Sequence, residues 1–244
     1  MNMKLVSAVA VVIACQLMTA IPLTPVGAQS STATDKERSV AFGDTQIVLH
    51  APSQHCLLDP SQSTDQRLAA LFFQPRAGSL NTYLGAFLDC KSLAALRSSG
   101  PNQVQLSSYA YYLAFTARAT EPITTQRDLV LQRVCENTRA KNGTLDLGQR
   151  DARSEIEDRM NALPSGRPWF GPVVAQDGNG CYQIVLYKSL AQGIETREAL
   201  VTIVTVVKRR QLTFTRAVPY SSDGLSSFVK MVQSEAAAFV KLNP

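Results

Sequence analysis

One segment near the C-terminus constrains the fold more than any other. From Ala199 to Val207 almost every residue is β-branched or apolar (Val201-Thr202-Ile203-Val204-Thr205-Val206-Val207). Such side chains lose rotamer freedom in a helix and pack well on a pleated surface. Lys208-Arg209-Arg210 turns the chain, and Gln211 to Val218 returns as a second apolar run containing Leu212-Thr213-Phe214-Thr215. Two such runs joined by a short polar turn predict an antiparallel hairpin. A closing helix follows Pro219-Tyr220, capped by Ser222 or Asp223. Its apolar residues, Leu225, Phe228, Val229, Val232, Ala236, Phe239 and Val240, recur at helical spacing. An isolated helix with that stripe is marginal in water, so it must cover the sheet.

The rest of the chain supplies the other elements. Thr45 to His50 is a short strand ended by Ala51-Pro52. Pro60-Ser61-Gln62-Ser63 introduces a helix in which Ser63 and Gln66 fit a capping box and Leu68, Leu71 and Phe72 form the apolar face. Asn81 to Asp89 reads as a strand, Lys91 to Arg97 as a turn or two of helix, and Gln103 to Arg118 as a tyrosine-rich strand. Two helices follow. Thr124 or Thr125 caps the first, Leu129, Leu131, Val134 and Cys135 are its apolar positions, and Asn142-Gly143 ends it. The second, about Gly148 to Ala162, is charged, with a thin stripe of Ile156, Met160 and Leu163, and belongs on the surface. Pro164 to Gly180 is rich in glycine and proline and reads as a loop carrying Trp169-Phe170. Cys181 to Tyr187 is a further strand. Strands and helices mix without strict alternation. This predicts the α+β class: a mainly antiparallel sheet flanked by helices, ending in a β-hairpin and a C-terminal amphipathic helix.

The first thirty residues determine the compartment. Lys4 gives a short positive region, Leu5 to Leu23 is almost wholly apolar, Pro22 and Pro25 break any helix, and Val26-Gly27-Ala28 supplies a small-residue cleavage site. This pattern is a secretory signal peptide. The organisation read from it is a signal peptide at 1–28, a flexible tether at 29–40, and a single domain at 41–244 with a helical insertion at about 124–163. One alternative is a lipoprotein: Val12-Ile13-Ala14-Cys15 resembles a lipobox, and an acylated Cys15 would associate the protein with a membrane. Another is an uncleaved anchor, since the stretch is about as long as a spanning helix needs, though its two prolines and the small-residue site count against that. The residues after Cys15 stay apolar, which favours cleavage after Ala28.

Four cysteines remain after that cleavage: Cys56, Cys90, Cys135 and Cys181. In an oxidising compartment an even count points to disulfides. Pairing each cysteine with the next, Cys56 with Cys90 and Cys135 with Cys181, closes moderate loops. The other two of the three pairings stay open. No C-x-x-C is present, so neither a thioredoxin-type site nor a zinc ribbon is indicated.

The opening Ile47-Val48-Leu49-His50-Ala51-Pro52, taken with Cys181 to Leu242, resembles the PsbP/Mog1/DcrB-type α-β-α sandwich over about half of the mature chain. That group includes exported bacterial envelope proteins. The resemblance implies a binding or accessory role in the envelope, usually without catalysis, and carries over no functional residues.

Candidate chemistry is sparse. The net charge of +5 is scattered, with Lys208-Arg209-Arg210 the one cluster of three. A nucleic-acid surface wants a denser stripe, so no nucleic-acid partner is expected. The two histidines, His50 and His55, both precede Cys56 closely, and His55 adjoins it, four residues before Asp59. A Cys–His pair suits a nucleophile and base, and His50 and His55, with Cys56 and Asp59, suit a metal site. However, neighbours in an extended chain point to opposite faces. Cys56 is also a natural disulfide partner, which leaves the histidines as exposed loop residues. No G-x-S-x-G elbow offers a serine. Glu155, Glu157 and Asp158 read as a solvated helix face. No phosphate loop or dinucleotide fingerprint exists, so no cofactor is expected. Trp169 and Phe170 in the 164–180 segment are the best binding candidates. The resulting reading is a non-enzymatic, exported cell-envelope protein of the periplasm. It would bind an envelope partner or small ligand through the sheet face or the 164–180 loop. The alternatives are a small-molecule or lipid carrier with a pocket between sheet and helices, and a thiol or metal enzyme using His50, His55 and Cys56.

Overall fold

The computed structural model describes residues 36–75, 77–99, 106, 108–191 and 193–244. The signal segment, Cys15 and residues 29–35 of the tether lie outside the described residues. The strands are β1 Glu37–Phe42, β2 Thr45–His50, β3 His55–Leu57, β4 Asn81–Asp89, β5 Tyr109–Phe115, β6 Trp169–Asp177, β7 Gly180–Ala191, β8 Ile194–Val207 and β9 Arg210–Pro219. The α-helices are α1 Ser63–Leu68, α2 Cys90–Ser99, α3 Arg127–Asn142, α4 Arg150–Ala162 and α5 Leu225–Leu242. Strands β3-β4-β5-β9-β8-β7-β6 form one antiparallel sheet in that order, and β1 and β2 form a separate hairpin. This is the α+β architecture expected, with helices on both faces of the sheet.

Alternation along the strands explains both faces. One face presents Tyr182, Ile184 and Leu186 of β7, Val201 and Ile203 of β8, Leu212 and Phe214 of β9, and Tyr112 of β5, all buried. Helix α5 lies on this face through Phe228, Val232, Ala236 and Phe239. Tyr112 stacks on Phe214 at 4.6 Å and meets Phe239 at 4.8 Å between ring centroids. Burying each such side chain stabilises the fold by roughly 1.5–3 kcal/mol. Ile156 and Met160 of α4, with Ile47 and Leu49 of β2, extend the same core. Asn243, just past α5, locks β2 in place: its Nδ2 donates to Val48 O at 2.9 Å and its Oδ1 accepts from Val48 N at 2.8 Å.

The opposite face is covered at its flanks. On one side α1 and α2 set Leu68, Leu93 and Leu96 over Ala86 and Leu88. On the other, α3 sets Leu131 against Val206, and Cys135 against Val173 and Cys181. A disulfide pins each cover to the sheet. Cys56–Cys90 ties α2 to β3, and Cys135–Cys181 ties α3 to β7.

Several local expectations change. The helix at Ser63 does not continue as an α-helix. After Leu68 it becomes a π-helical turn over Ala69–Phe73, closed by Gln74 N donating to Ala69 O at 2.8 Å. The wider turn brings Phe73 round to the core in place of Phe72. Leu71 and Phe72 are left 66% and 53% exposed. Ser63 makes no capping box, being already inside the helix, and Gln66 Nε2 donates to Pro60 O at 2.6 Å instead. Thr124, Thr125, Ser222 and Asp223 are not caps either: α3 starts after Gln126 and α5 after Gly224, each without a side-chain cap bond. Gly143 ends α3 as predicted, at φ +78°. The end of the expected tether is ordered as β1, because Glu37 to Phe42 pairs in register with Thr45 to His50. The tyrosine-rich strand is shorter than predicted, with Thr116–Ala119 forming a 3-10 turn after β5.

The largest correction concerns 164–180. This segment is not a loop throughout: 164–168 are irregular, but the stretch that carries Trp169 and Phe170 is a strand. Trp169–Asp177 is the outer strand β6, paired to β7 with register shifts around Gly171-Pro172 and Val173. Proline cannot donate to a ladder, so it sits on an edge strand beside a bulge. Gly171 is required there for a second reason. A Cβ on it would lie 2.5 Å from the Trp169 ring and 2.8 Å from Ile184 Cγ2.

Candidate functional site

The residues proposed from the sequence are dispersed. Trp169 packs against the main core, with the Arg159 guanidinium 5.3 Å from its ring centroid, while Phe170 is 59% exposed. The two are therefore not a paired aromatic anchor on a loop. They are adjacent strand residues pointing to opposite sides. His50 Nδ1 lies 3.7 Å from Glu37 Oε1, and the His50 carbonyl accepts the Tyr112 hydroxyl at 3.0 Å. His55 is not an exposed loop residue: it is 7% exposed, in β3, with bonding partners of its own. Cys56 is held in a disulfide and has no free thiol. Among the described residues, no group of three or more His, Cys, Asp or Glu side chains is placed to hold a metal ion.

Two other constellations appear. The first is the strip of sheet between the two disulfide-tied covers. The register places Gln183, Thr202, Thr215 and Tyr111 in one row across β7, β8, β9 and β5. The next row holds Val204, Thr213 and Leu113. Thr202, Val204, Thr213, Gln183, Leu113 and Tyr111 remain partly exposed. The Thr202 and Thr215 hydroxyls bond each other at 3.1 Å, and Gln183 Nε2 donates to Gly171 O at 2.8 Å. At one end of the strip the Tyr109 hydroxyl donates to Glu198 Oε2 at 2.9 Å. Burial pushes the Glu198 carboxyl above its usual range, and the Tyr109 bond partly offsets this. The strip thus combines hydroxyl and amide groups with tyrosine rings and one carboxyl that protonates readily.

The second constellation lies on the helix-covered face. Ser108, just before β5, sits between β3 and β9. His55 Nε2 is 3.1 Å from Ser108 Oγ, and Arg216 Nη1 donates to the same oxygen at 2.8 Å. Arg216 is 4% exposed and also donates to the carbonyls of Tyr109 and Ala217, each at 3.0 Å. Its Nε lies 3.5 Å from Glu235 Oε2 of α5. Burial raises the Glu235 carboxyl's pKa, opposed by the Arg216 charge. Burial and then the Arg216 charge hold the His55 imidazole below its usual range.

Neither constellation is marked by a local sequence motif. The alternation of Thr202, Thr213 and Thr215 with buried aliphatics marks the outward strip and was a usable signal. Ser108, Arg216 and Glu235 come from three distant elements and carry no motif. Against known proteins, the chain matches no family model and no curated protein.

Proposed function

We propose that the chain is an exported binding protein of the cell envelope, taking its partner or ligand on the open strip of sheet between α1–α2 and α3. The observation that carries this reading is the row Gln183–Thr202–Thr215–Tyr111. In this row Gln183, Thr202 and Tyr111 stay partly exposed, and the buried Thr215 hydroxyl bonds Thr202, on a face whose two flanks are both covered and cross-linked. Rigid scaffolding with a polar, aromatic floor suits recognition. The two disulfides support an oxidising, extracytoplasmic setting, and the signal-like N-terminus supports export through the periplasm. The carrier reading is less well supported, since the Tyr112–Phe214–Phe239 stack occupies the space between sheet and α5. The thiol and metal readings lose Cys56 to its disulfide.

Two experiments test this. A photo-cross-linking amino acid at position 213 should form an adduct in the native envelope, and Thr202→Arg should abolish it. The same probe at Glu155, exposed on α4, should give none. Adducts from position 155 alone, or none from 213, would overturn the proposed face. Intact mass of the native protein tests export: a start at Gln29 with no free thiol supports it, and a start at acylated Cys15 replaces it with the anchored form.

A further inference from the structure

The polar chain around Ser108 has chemistry that binding on the opposite face does not use. We propose that Ser108 is a nucleophile and His55 its general base, forming an ester-hydrolysing site separate from the binding strip.

The geometry defines the proton positions. Ser53 O lies 2.7 Å from His55 Nδ1. A carbonyl only accepts, so in the neutral ring Nδ1 carries the proton and Nε2 presents its lone pair. That lone pair faces Ser108 Oγ at 3.1 Å. Arg216 Nη1 already donates to Oγ, so the hydroxyl proton points to an acceptor: His55 Nε2, or Ala217 O at 3.2 Å. A nucleophile, a base within reach and a third group orienting the base make the arrangement that activates a serine. Here the orienting group is a backbone carbonyl. The guanidinium 2.8 Å from Oγ also favours the negative charge that the oxygen takes on when it loses its proton.

The base is rigidly held. Gln54 has φ +62°, a left-handed conformation that is unfavourable for a non-glycine residue and persists only where the surrounding structure holds it. Its carbonyl accepts from Cys90 N at 3.0 Å, beside the Cys56–Cys90 bridge. The charged groups around the ring come from each neighbouring strand. Asp89 of β4 favours the imidazolium, Arg216 of β9 opposes it, and burial opposes it more strongly. Glu235 of α5 faces the guanidinium rather than the ring. His55 therefore stays a free base at mildly acidic pH. Ser53 and Gln54 are exposed at the rim of the site, where an ester would enter.

The reaction balances with water as co-reactant. Oγ attacks the ester carbonyl carbon, and its proton passes to Nε2. The bond to the alcohol oxygen breaks, and the alcohol leaves with that proton. Water then attacks the acyl-serine, giving a proton to Nε2. The carboxylic acid departs as Ser108 regains its proton.

The test uses the full-length, disulfide-bonded protein and a fluorophosphonate probe. Attack forms the Oγ–P bond and breaks P–F, fluoride leaves, and the hydroxyl proton passes to His55. The expected result is one adduct, mapped by mass spectrometry to Ser108 and retained in Ser154→Ala. His55→Gln should label at least ~100-fold more slowly. The wild-type rate should rise with pH to a plateau, with its midpoint below the ordinary imidazole value of 6.5. A folded wild-type protein that gives no Ser108 adduct overturns the proposal without any variant. So does a His55→Gln protein that labels at the wild-type rate, or a midpoint above 6.5.

Discussion

Removing Cys135 and Cys181 together, as a double alanine variant, tests how the sheet face is held. The cysteines are 46 residues apart, and Cys56 and Cys90 are 34 apart. Chain-entropy arithmetic gives each bridge about 4 kcal/mol of stabilisation, with the longer loop ahead by only about 0.3 kcal/mol. Packing separates them further. Cys135 and Cys181 are 0% and 3% exposed, whereas Cys56 and Cys90 are partly exposed. The first pair therefore also leaves a void against Val173 that the second does not. With a urea slope of about 2 kcal/mol per molar, each double variant should lose roughly 2 M in midpoint. The Cys135→Ala/Cys181→Ala protein should lose more. Trp169, the single tryptophan, reports the transition by fluorescence, with far-UV circular dichroism as the second probe. If either variant keeps its midpoint within about 0.5 M at unchanged slope, the bridge does not restrain the unfolded chain as argued.

Further predictions follow from buried groups. Mild reductant should open Cys56–Cys90 first and leave Cys135–Cys181 intact until global unfolding, as thiol alkylation followed by peptide mapping would show. Asp65 is 1% exposed, takes two bonds from Arg97 at 2.5 and 3.1 Å and one from Asp59 N at 2.7 Å. Asp65→Ala strands all three donors and should cost about 3 kcal/mol in urea unfolding. For His55 the folded pKa is lowered, so the unfolded chain takes up its proton first as pH falls. Stability from this group should drop below about pH 6.5, and His55→Gln should flatten that limb of a stability–pH curve. For Glu198 and Glu235 the folded pKa is raised, so the sign reverses. Stability falls as pH climbs above 4.5, and Glu198→Gln should reduce that loss.

What could be read from the sequence depended on how local the determining forces were. The β8–β9 hairpin, β4 and the α5 stripe follow from periodicity, because one buried face dictates them. The π turn at Ala69–Phe73 was invisible, since Leu71 and Phe72 satisfy α-helical spacing and only packing against Tyr109 and Tyr111 selects Phe73. Strand β6 was hidden because Gly171-Pro172 resembles a loop, and only an edge position with a bulge reconciles them. The Ser108 site joins residues 53 and 108 positions apart through β3, β5 and β9. Such a site depends on the register of the whole sheet, and no window of sequence contains it.

The turn between β8 and β9 has a consequence for how the chain reaches this state. Lys208 and Arg209 sit at φ +45° and +60° with no glycine to relieve them. A two-residue turn of this kind normally uses Asn-Gly. Here distant segments hold it: Lys208 Nζ donates to Gln46 O at 2.9 Å, Arg209 Nε to Ile123 O at 2.9 Å, and Ile123 N to Arg209 O at 2.8 Å. The most β-prone stretch of the chain therefore lacks a self-sufficient nucleus. The contacts that hold the turn close over long sequence separations, to Gln46 and Ile123, so the hairpin should gain its full stability only once those segments are in place.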